Sequence, residues 1–207
     1  MTPLEALATR AQAVLGRPLS ERERDDFDKY LSLLLKWQKA HRMVGSEDPM
    51  WIVEHLFLDS LLFLRLLPDS TRTLADLGSG AGLPGLPIKI LRRDMEVTLI
   101  ESRRRRAMFL TSAVRTMKLE GVRIVEGRVE SAASDLRGTL DAVVMRCAGD
   151  VEAMIPLAAE LVVARGIVIA SGPPTPKPLA VGEWVTVPGI KRGTSRRFAI
   201  YTKPVQT

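Results

Sequence analysis

The residues whose types and spacing best suit chemistry lie in Leu74-Ala75-Asp76-Leu77-Gly78-Ser79-Gly80-Ala81-Gly82-Leu83-Pro84-Gly85. Glycines between a strand and a helix let the backbone turn tightly and bring N–H groups close to a ligand. Gly80-x-Gly82-x-x-Gly85 matches the dinucleotide fingerprint, a signal of low specificity alone. Two acids narrow it. Asp76 stands two residues before Gly78. A carboxylate there sits badly beside a pyrophosphate but suits a cationic aminoacyl group, directly or through water. Glu101 closes Leu99-Ile100-Glu101 and is placed to accept hydrogen bonds from ribose hydroxyls. Together they point to S-adenosylmethionine. The plainer alternative is a tight strand–helix turn followed by a charged strand end.

The other reactive residue types carry less. Cys147 would be a nucleophile for methylation of a pyrimidine carbon only as an activated thiolate. Arg146 beside it could lower its pKa, but the proline–cysteine motif of such enzymes is missing, so a small buried strand-end residue is expected. Ser171-Gly172-Pro173-Pro174 lacks the leading amide or acid and the trailing aromatic of amino-methylating enzymes, and reads as a loop. His41 and His55 read as surface or capping residues, and Trp37 and Trp51 as helix-packing anchors rather than base-stacking platforms. No acid–base pair stands out, so no catalytic residue is assigned. A metal site is not expected from one cysteine and two histidines.

The elements that must position these residues follow from the chain's texture. With 207 residues, 46% of them hydrophobic, the chain suits one domain, or one domain with an appendage. Residues 1–70 read as a helical appendage. Ser20-Glu21-Arg22-Glu23 is a capping box, Phe27, Tyr30, Leu31, Leu34 and Leu35 recur at helical spacing, and Pro49 opens a third helix that ends before Pro68. Residues 71–207 alternate strands and helices. Strands are expected at Thr73–Leu77, Val97–Ile100, Val122–Val125, Ala142–Met145 and Gly166–Ala170. Helices are expected at Leu86–Arg92, Arg105–Lys118, Val129–Leu136 and Val151–Ala164, the last kinked or delayed by Pro156. This is an α/β, Rossmann-like pattern, a mostly parallel sheet, with Glu183–Val187 and Arg197–Tyr201 as an antiparallel edge.

No apolar run is long enough to span a membrane, and the N-terminus lacks the pattern of a secretory signal, so a cytoplasmic protein without a membrane partner is expected. The net charge of +6 suits a polyanion partner. The charge is clustered: Arg103–Arg106 forms an unbroken run, and Lys191, Arg192, Arg196, Arg197 and Lys203 crowd the C-terminus. Cations at a helix start oppose the helix dipole, which favours a function such as holding phosphate for the run.

The loop with prolines at both Pro84 and Pro87 resembles that of the RsmG (GidB) family of 16S ribosomal RNA methyltransferases. The likeness continues through Glu101-Ser102, Arg105-Arg106, Phe109-Leu110, Gly127-Arg128-Val129-Glu130, Asp141 with Arg146, and Arg196 to Lys203. Upstream, Trp37 and Leu58-Asp59-Ser60 match two landmarks of the family's helical segment. The resemblance implies a class I S-adenosylmethionine-dependent methyltransferase acting on N7 of one guanine near the decoding centre of 16S rRNA, free or in the small ribosomal subunit. It implies a cofactor site of Asp76, Gly78, Ser79, Gly80, Leu83, Glu101, Val129, Glu130 and Arg146, with Arg146 facing cofactor or substrate. RNA contacts are expected from Arg104, Arg105, Arg106, Arg196 and Arg197, with no DNA partner and a monomeric state. The chain departs from the family within Trp37–Val44, where Gln38 follows the tryptophan and both usual asparagines are missing, at Leu56, where a histidine is usual, at Cys147, where alanine is usual, and at Ser171, where lysine is usual. Two rivals remain: an NAD-dependent oxidoreductase, for which no catalytic Tyr/Lys or His pair is suitably placed, and a methyltransferase-fold RNA-binding protein with an altered target or lost turnover.

Overall fold

Five short apolar runs, each followed by a chain reversal, form the parallel strands β1 (Thr73–Leu77), β2 (Glu96–Glu101), β3 (Val122–Glu126), β4 (Leu140–Arg146) and β5 (Val162–Ser171). With β6 (Glu183–Pro188) and β7 (Ser195–Thr202) they make one sheet in the order β3-β2-β1-β4-β5-β7-β6. β7 runs antiparallel to both its neighbours, the edge the sequence predicts. The computed structural model describes residues 1–146 and 150–205. Register aligns Leu77 with both Ile100 and Met145, and Arg146 with Ser171, so the carboxyl ends of β1, β2, β4 and β5 form one level edge. The chain progresses outward from β1 to β3 on one side and from β4 onward on the other. Ligands of open α/β sheets bind at such a reversal of strand order.

Three differences from the sequence-based expectation have local causes. The third helical stretch, 49–65, is not a plain α-helix. It runs α3 (Pro49–Ile52), a π turn (Val53–Phe57), α4 (Leu58–Leu61) and a 3₁₀ turn (Leu62–Arg65). The Leu58 N–H reaches back to the Val53 carbonyl, which shifts the hydrogen-bond ladder by one residue. The helix before β5 is α8 (Val151–Leu161), shorter than Val151–Ala164 because β5 begins early. The pairing jumps from Leu140↔Val162 to Ala142↔Ile167, and left-handed Arg165 (φ 66°) lies within that bulge. Pro156 sits inside α8, which starts at Val151 without delay behind an Asp150 cap.

The two faces of the sheet are covered differently. Side chains alternate along β1: Leu74 joins one core, while Ala75 and Leu77 join the other. The second core packs Leu77, Ile100, Val143 and Met145 against Ile155, Ala158 and Leu161 of α8. The first core is shared between the sheet, α5 (Gly85–Leu91), α6 (Arg104–Thr116) and the N-terminal helices α1 (Pro3–Leu15) and α2 (Glu21–His41). Both N-terminal helices start in complete capping boxes, Thr2 with Glu5 and Ser20 with Glu23. Their apolar stripes put Leu7, Phe27, Tyr30 and Leu34 into the same cluster as Leu86, Leu99 and Phe109.

Tyr30 joins α2 to the sheet most directly. Its ring stacks on Phe57 at 4.7 Å, and its hydroxyl donates to the Ala81 carbonyl at 2.5 Å. Complete burial holds its pKa well above the ordinary phenol value, so it remains a donor. Arg93 and nearly buried Asp26 add an ion pair at 3.0 Å between the strand connection and α2. The Tyr30→Phe variant keeps the ring and strands the Ala81 carbonyl, which is expected to cost about 1–3 kcal/mol. Urea unfolding checks this: the midpoint should fall with the slope unchanged.

Candidate functional site

The strand–helix turn after β1 is held from beneath by two carboxylates. Gly78 and Gly80 adopt left-handed backbone (φ 69° and 59°), which an L side chain would strain. The N–H groups of Gly78 and Ser79 both donate to the Ile100 carbonyl of β2, at 2.9 and 3.0 Å. The Gly80 N–H donates to Glu101 Oε2 at 2.8 Å, while Glu101 Oε1 accepts from the Arg103 N–H at 2.7 Å. One buried carboxylate therefore fixes both the turn and the approach to α6. At the start of α5, the Gly85 N–H donates to Asp76 Oδ2 at 2.9 Å. A Cβ on Gly85 would lie 2.6 Å from Leu99 Cδ2 and 2.8 Å from that oxygen, so only glycine lets helix and strand pack this closely.

Asp76 is fully buried, and its Oδ1 has no hydrogen-bond partner among the described residues. Burial pushes its pKa up to about 7, against the downward pulls of the Gly85 N–H, the Ser79 hydroxyl and the Arg146 charge. A buried carboxyl with one oxygen unsatisfied is complementary to a donor or a cation. Ser79 and Leu83 are buried within the turn, and Ser79 Oγ donates to the Asp76 carbonyl at 2.8 Å. Gly78 is exposed at the top of the turn. The Gly127 N–H donates to the Glu101 carbonyl at 3.1 Å, which brings the end of β3 beside that of β2. Val129 and Glu130 follow at once, half-buried and exposed, as the first residues of α7 (Val129–Leu136).

The arginines divide into two groups at the same edge. Arg104 and Arg105 are exposed at the start of α6, and Arg106 Nη1 lies 4.0 Å from Glu101 Oε2. Arg196 and Arg197 stand at the start of β7, beside the end of β5 where Ser171 pairs with Phe198. Arg146, at the end of β4, turns toward the N-terminal helices. Its Nη1 donates to the Leu56 carbonyl at 3.2 Å and its Nη2 to the His55 carbonyl at 2.6 Å. Asp59 Oδ2 is 3.6 Å away. Asp59 also holds Arg196, whose Nε lies 2.8 Å from Oδ1 and whose Nη2 donates to Oδ2 at 3.2 Å. Sequence reasoning missed this cluster. Its one signal is Leu58-Asp59-Ser60, and nothing in that tripeptide's spacing names its partners.

Several other candidates resolve into supporting roles. Trp37 packs edge-on against Phe109 at 5.7 Å, the anchoring part expected of it, and Trp51 stacks on His55 at 4.8 Å. Gln38, which stands in for a family asparagine, closes the end of α2 by bonding both the N–H and the carbonyl of Val44 at 2.8 Å. Asp141 lies at the opposite edge of the sheet, accepting from the Arg72 and Thr73 N–H groups. Cys147 lies outside the described residues. Among the described residues no group of three or more His, Cys, Asp or Glu is placed to hold a metal ion, and no helix is long and apolar enough to cross a membrane.

The chain is similar to known proteins in sequence and in fold. The family described as rRNA small subunit methyltransferase G (GidB) matches residues 23–172. The Ribosomal RNA small subunit methyltransferase G of Sorangium cellulosum is 34% identical over 211 residues, covering 100% of this chain and 84% of that protein. The protein of the same name from Neisseria meningitidis is 38% identical over 125 residues, 60% of this chain and 59% of its own length. Among solved structures, MtNAS in complex with S-adenosylmethionine superposes with a TM-score of 0.59 at 14% identity, over 84% of this chain and 75% of that one. The precorrin-6y C5,15-methyltransferase of Geobacter metallireducens superposes with a TM-score of 0.52 at 16% identity, over 80% and 92%. These structures share the class I methyltransferase fold.

The raised pKa of Asp76 has a defined sign in stability. Folded Asp76 holds a proton between its ordinary value and about 7, where the unfolded chain has lost it. Stability relative to Asp76→Asn is therefore expected to fall as pH rises through that window and to level off above it. Urea midpoints of both proteins, measured from acid to mildly alkaline pH, check this. A flat or rising difference would contradict the buried acid.

Proposed function

The chain belongs to the rRNA small subunit methyltransferase G family, and from that premise we propose that it transfers the methyl group of S-adenosylmethionine to N7 of a guanine in 16S rRNA. The observation that carries the reading is the pair of buried carboxylates gripping one glycine turn at the reversal of strand order, Glu101 on Gly80 and Asp76 on Gly85. S-adenosylmethionine supplies an electrophilic methyl group on a sulfonium. Gly78, Ser79, Gly80 and Leu83 shape its cradle, and the unpartnered oxygen of Asp76 suits its cationic aminoacyl end. Glu101 gives two lone-pair sites to the Gly80 and Arg103 N–H groups and keeps others for ribose hydroxyls. Val129 and Glu130 flank the adenine, beside the end of β2, and Arg146 closes the site at the end of β4.

Guanine N7 has a free lone pair at neutral pH and needs no general base. The work of the protein is then alignment, which can contribute roughly 7–11 kcal/mol at best. This accounts for a site rich in backbone donors and poor in acid–base pairs. The base must leave its stack or be presented in a flexible loop. Arg104, Arg105 and Arg106 on one side of the site and Arg196 and Arg197 on the other are placed to hold RNA phosphates on both sides of it. The reading has the chain acting as a monomer in the cytoplasm, on free 16S rRNA or on the small subunit.

The test is methyl transfer from labelled S-adenosylmethionine to small subunits and to free 16S rRNA from cells lacking this protein. Labelled N7-methylguanosine at one site is the expected product. No label, with cofactor affinity intact, would mean lost turnover or another RNA. Gly78→Asp is expected to abolish cofactor binding in calorimetry, since a φ of 69° strains an L residue and a carboxylate there would intrude on the cofactor's cradle. Neutralising Arg104, Arg105 and Arg106 together is expected to weaken RNA binding and flatten its salt dependence, with cofactor affinity retained. The log–log slope should become shallower by about 0.7–0.9 for each phosphate that the variant no longer neutralises. An unchanged slope would remove the run from the RNA interface.

A further inference from the structure

Two acids on the segment between α3 and the 3₁₀ turn each hold two cations from distant parts of the chain. Glu54 pairs with Arg10 of α1 and, at 2.9 Å, with Lys191 in the β6–β7 turn. Its pKa falls to about 2, through its bonds to Lys191 and Arg10. Asp59, five residues on, pairs with Arg196 at 2.8 Å and with Arg146 at 3.6 Å. The intervening π turn bonds residues five apart, which is the spacing that carries both acids to the β6–β7 hairpin. The π turn also leaves the His55 and Leu56 carbonyls as acceptors for Arg146, with Ser60 Oγ sharing Leu56 at 2.6 Å.

We propose that Asp59 is a positioning residue for methyl transfer, holding Arg146 and Arg196 as one fixed cationic pair between the end of β4 and the RNA side of the site. The proposal rests on the methyltransferase reading above. Stability alone is a weak reason for such a cluster, because buried ion pairs commonly do no better than apolar packing of the same volume. Geometry supplies a better one. The Arg146 side chain is 13% exposed and bonded on both terminal nitrogens, whereas that of Arg196 is 36% exposed and stands at the open start of β7. One arginine faces inward and one outward, and a single carboxylate spans them. An RNA phosphate taken by Arg196 is thereby kept in register with the end of β4, where the strand order reverses. On the Arg196 side, Asp59 and Arg196 border a hollow of about 140 Å³ together with Glu54, His55, Lys191 and Thr194, and Arg146 lies outside its lining.

The effects of charge and of position have opposite signs, which makes the proposal testable. Asp59→Asn keeps the shape and raises the net charge of the cluster by one. RNA affinity should therefore hold or tighten while kcat on small subunits or 16S rRNA falls, on the order of 100-fold for a misplacement near 1 Å. Cofactor affinity should stay within about twofold, and Asp59→Glu should recover part of the turnover. Unchanged kcat in Asp59→Asn would overturn the proposal. So would a loss of turnover that merely follows a loss of cofactor affinity and a lower melting temperature. If the wild-type chain transfers no methyl group, the functional reading fails instead. Asp59 is then judged by NMR: its replacement should release the guanidinium N–H groups of Arg196 to fast exchange, and an unaltered exchange rate would overturn the positioning role.

Discussion

The structure depends on keeping a flexible, glycine-rich turn in one conformation at the edge of the sheet. Left-handed backbone at Gly78 and Gly80 is tolerated by glycine but not enforced by it. Enforcement comes from buried acceptors: the Ile100 carbonyl, Glu101 and Asp76, each taking N–H groups that a free turn would offer to water. Removing carboxylates from water is costly, and the molecule offsets that cost differently for each. Glu101 takes two backbone donors and lies near Arg106. Asp76 takes one donor and is left with a pKa near neutrality. That asymmetry leaves Asp76, and not Glu101, with a buried oxygen that no donor in the described residues satisfies.

The N-terminal helices belong to this device. Tyr30 reaches the far side of the same turn, at Ala81, so the turn is gripped from β2 and from α2 at once. Segment 49–65 extends the arrangement along the edge, since its carbonyls and acids meet Arg146, Arg196 and Lys191. This edge of the sheet is therefore built jointly by the first and last parts of the chain.

Much of this was legible in the residues. The five parallel strands and the antiparallel edge follow from apolar runs and alternation, and the glycine turn with Asp76 and Glu101 follows from residue type in context. What escaped was long-range. The π turn has no composition signature, because a one-residue shift of the ladder depends on what donates to the carbonyls of the turn, here Arg146. The early start of β5 at Val162 depends on a bulge at Arg165, a left-handed non-glycine residue that periodicity does not reveal. Asp76 reads as a ligand-facing acid, but its depth beneath Gly85 is set by a glycine nine residues later. Gln38 reads as a departure from the family, yet its amide is fully engaged with Val44.

The shared first core has a consequence for biosynthesis. α1 and α2 are made before the sheet that they cover, and the Tyr30–Ala81 bond joins residues 51 apart in the chain. The first core draws on Val144 of β4, Ile169 of β5 and Phe198 of β7, so this face of the sheet is complete only after Phe198 has been added. At roughly 5–20 residues per second, Phe27, Tyr30 and Leu34 remain on the order of ten seconds without their partners on the sheet during synthesis. The helices endure that interval through local means, two capping boxes and a charged outer face that includes the Lys29–Asp25 pair. The outer face of α2 is thus charged where the nascent helix meets water, before its buried side is covered as well as after.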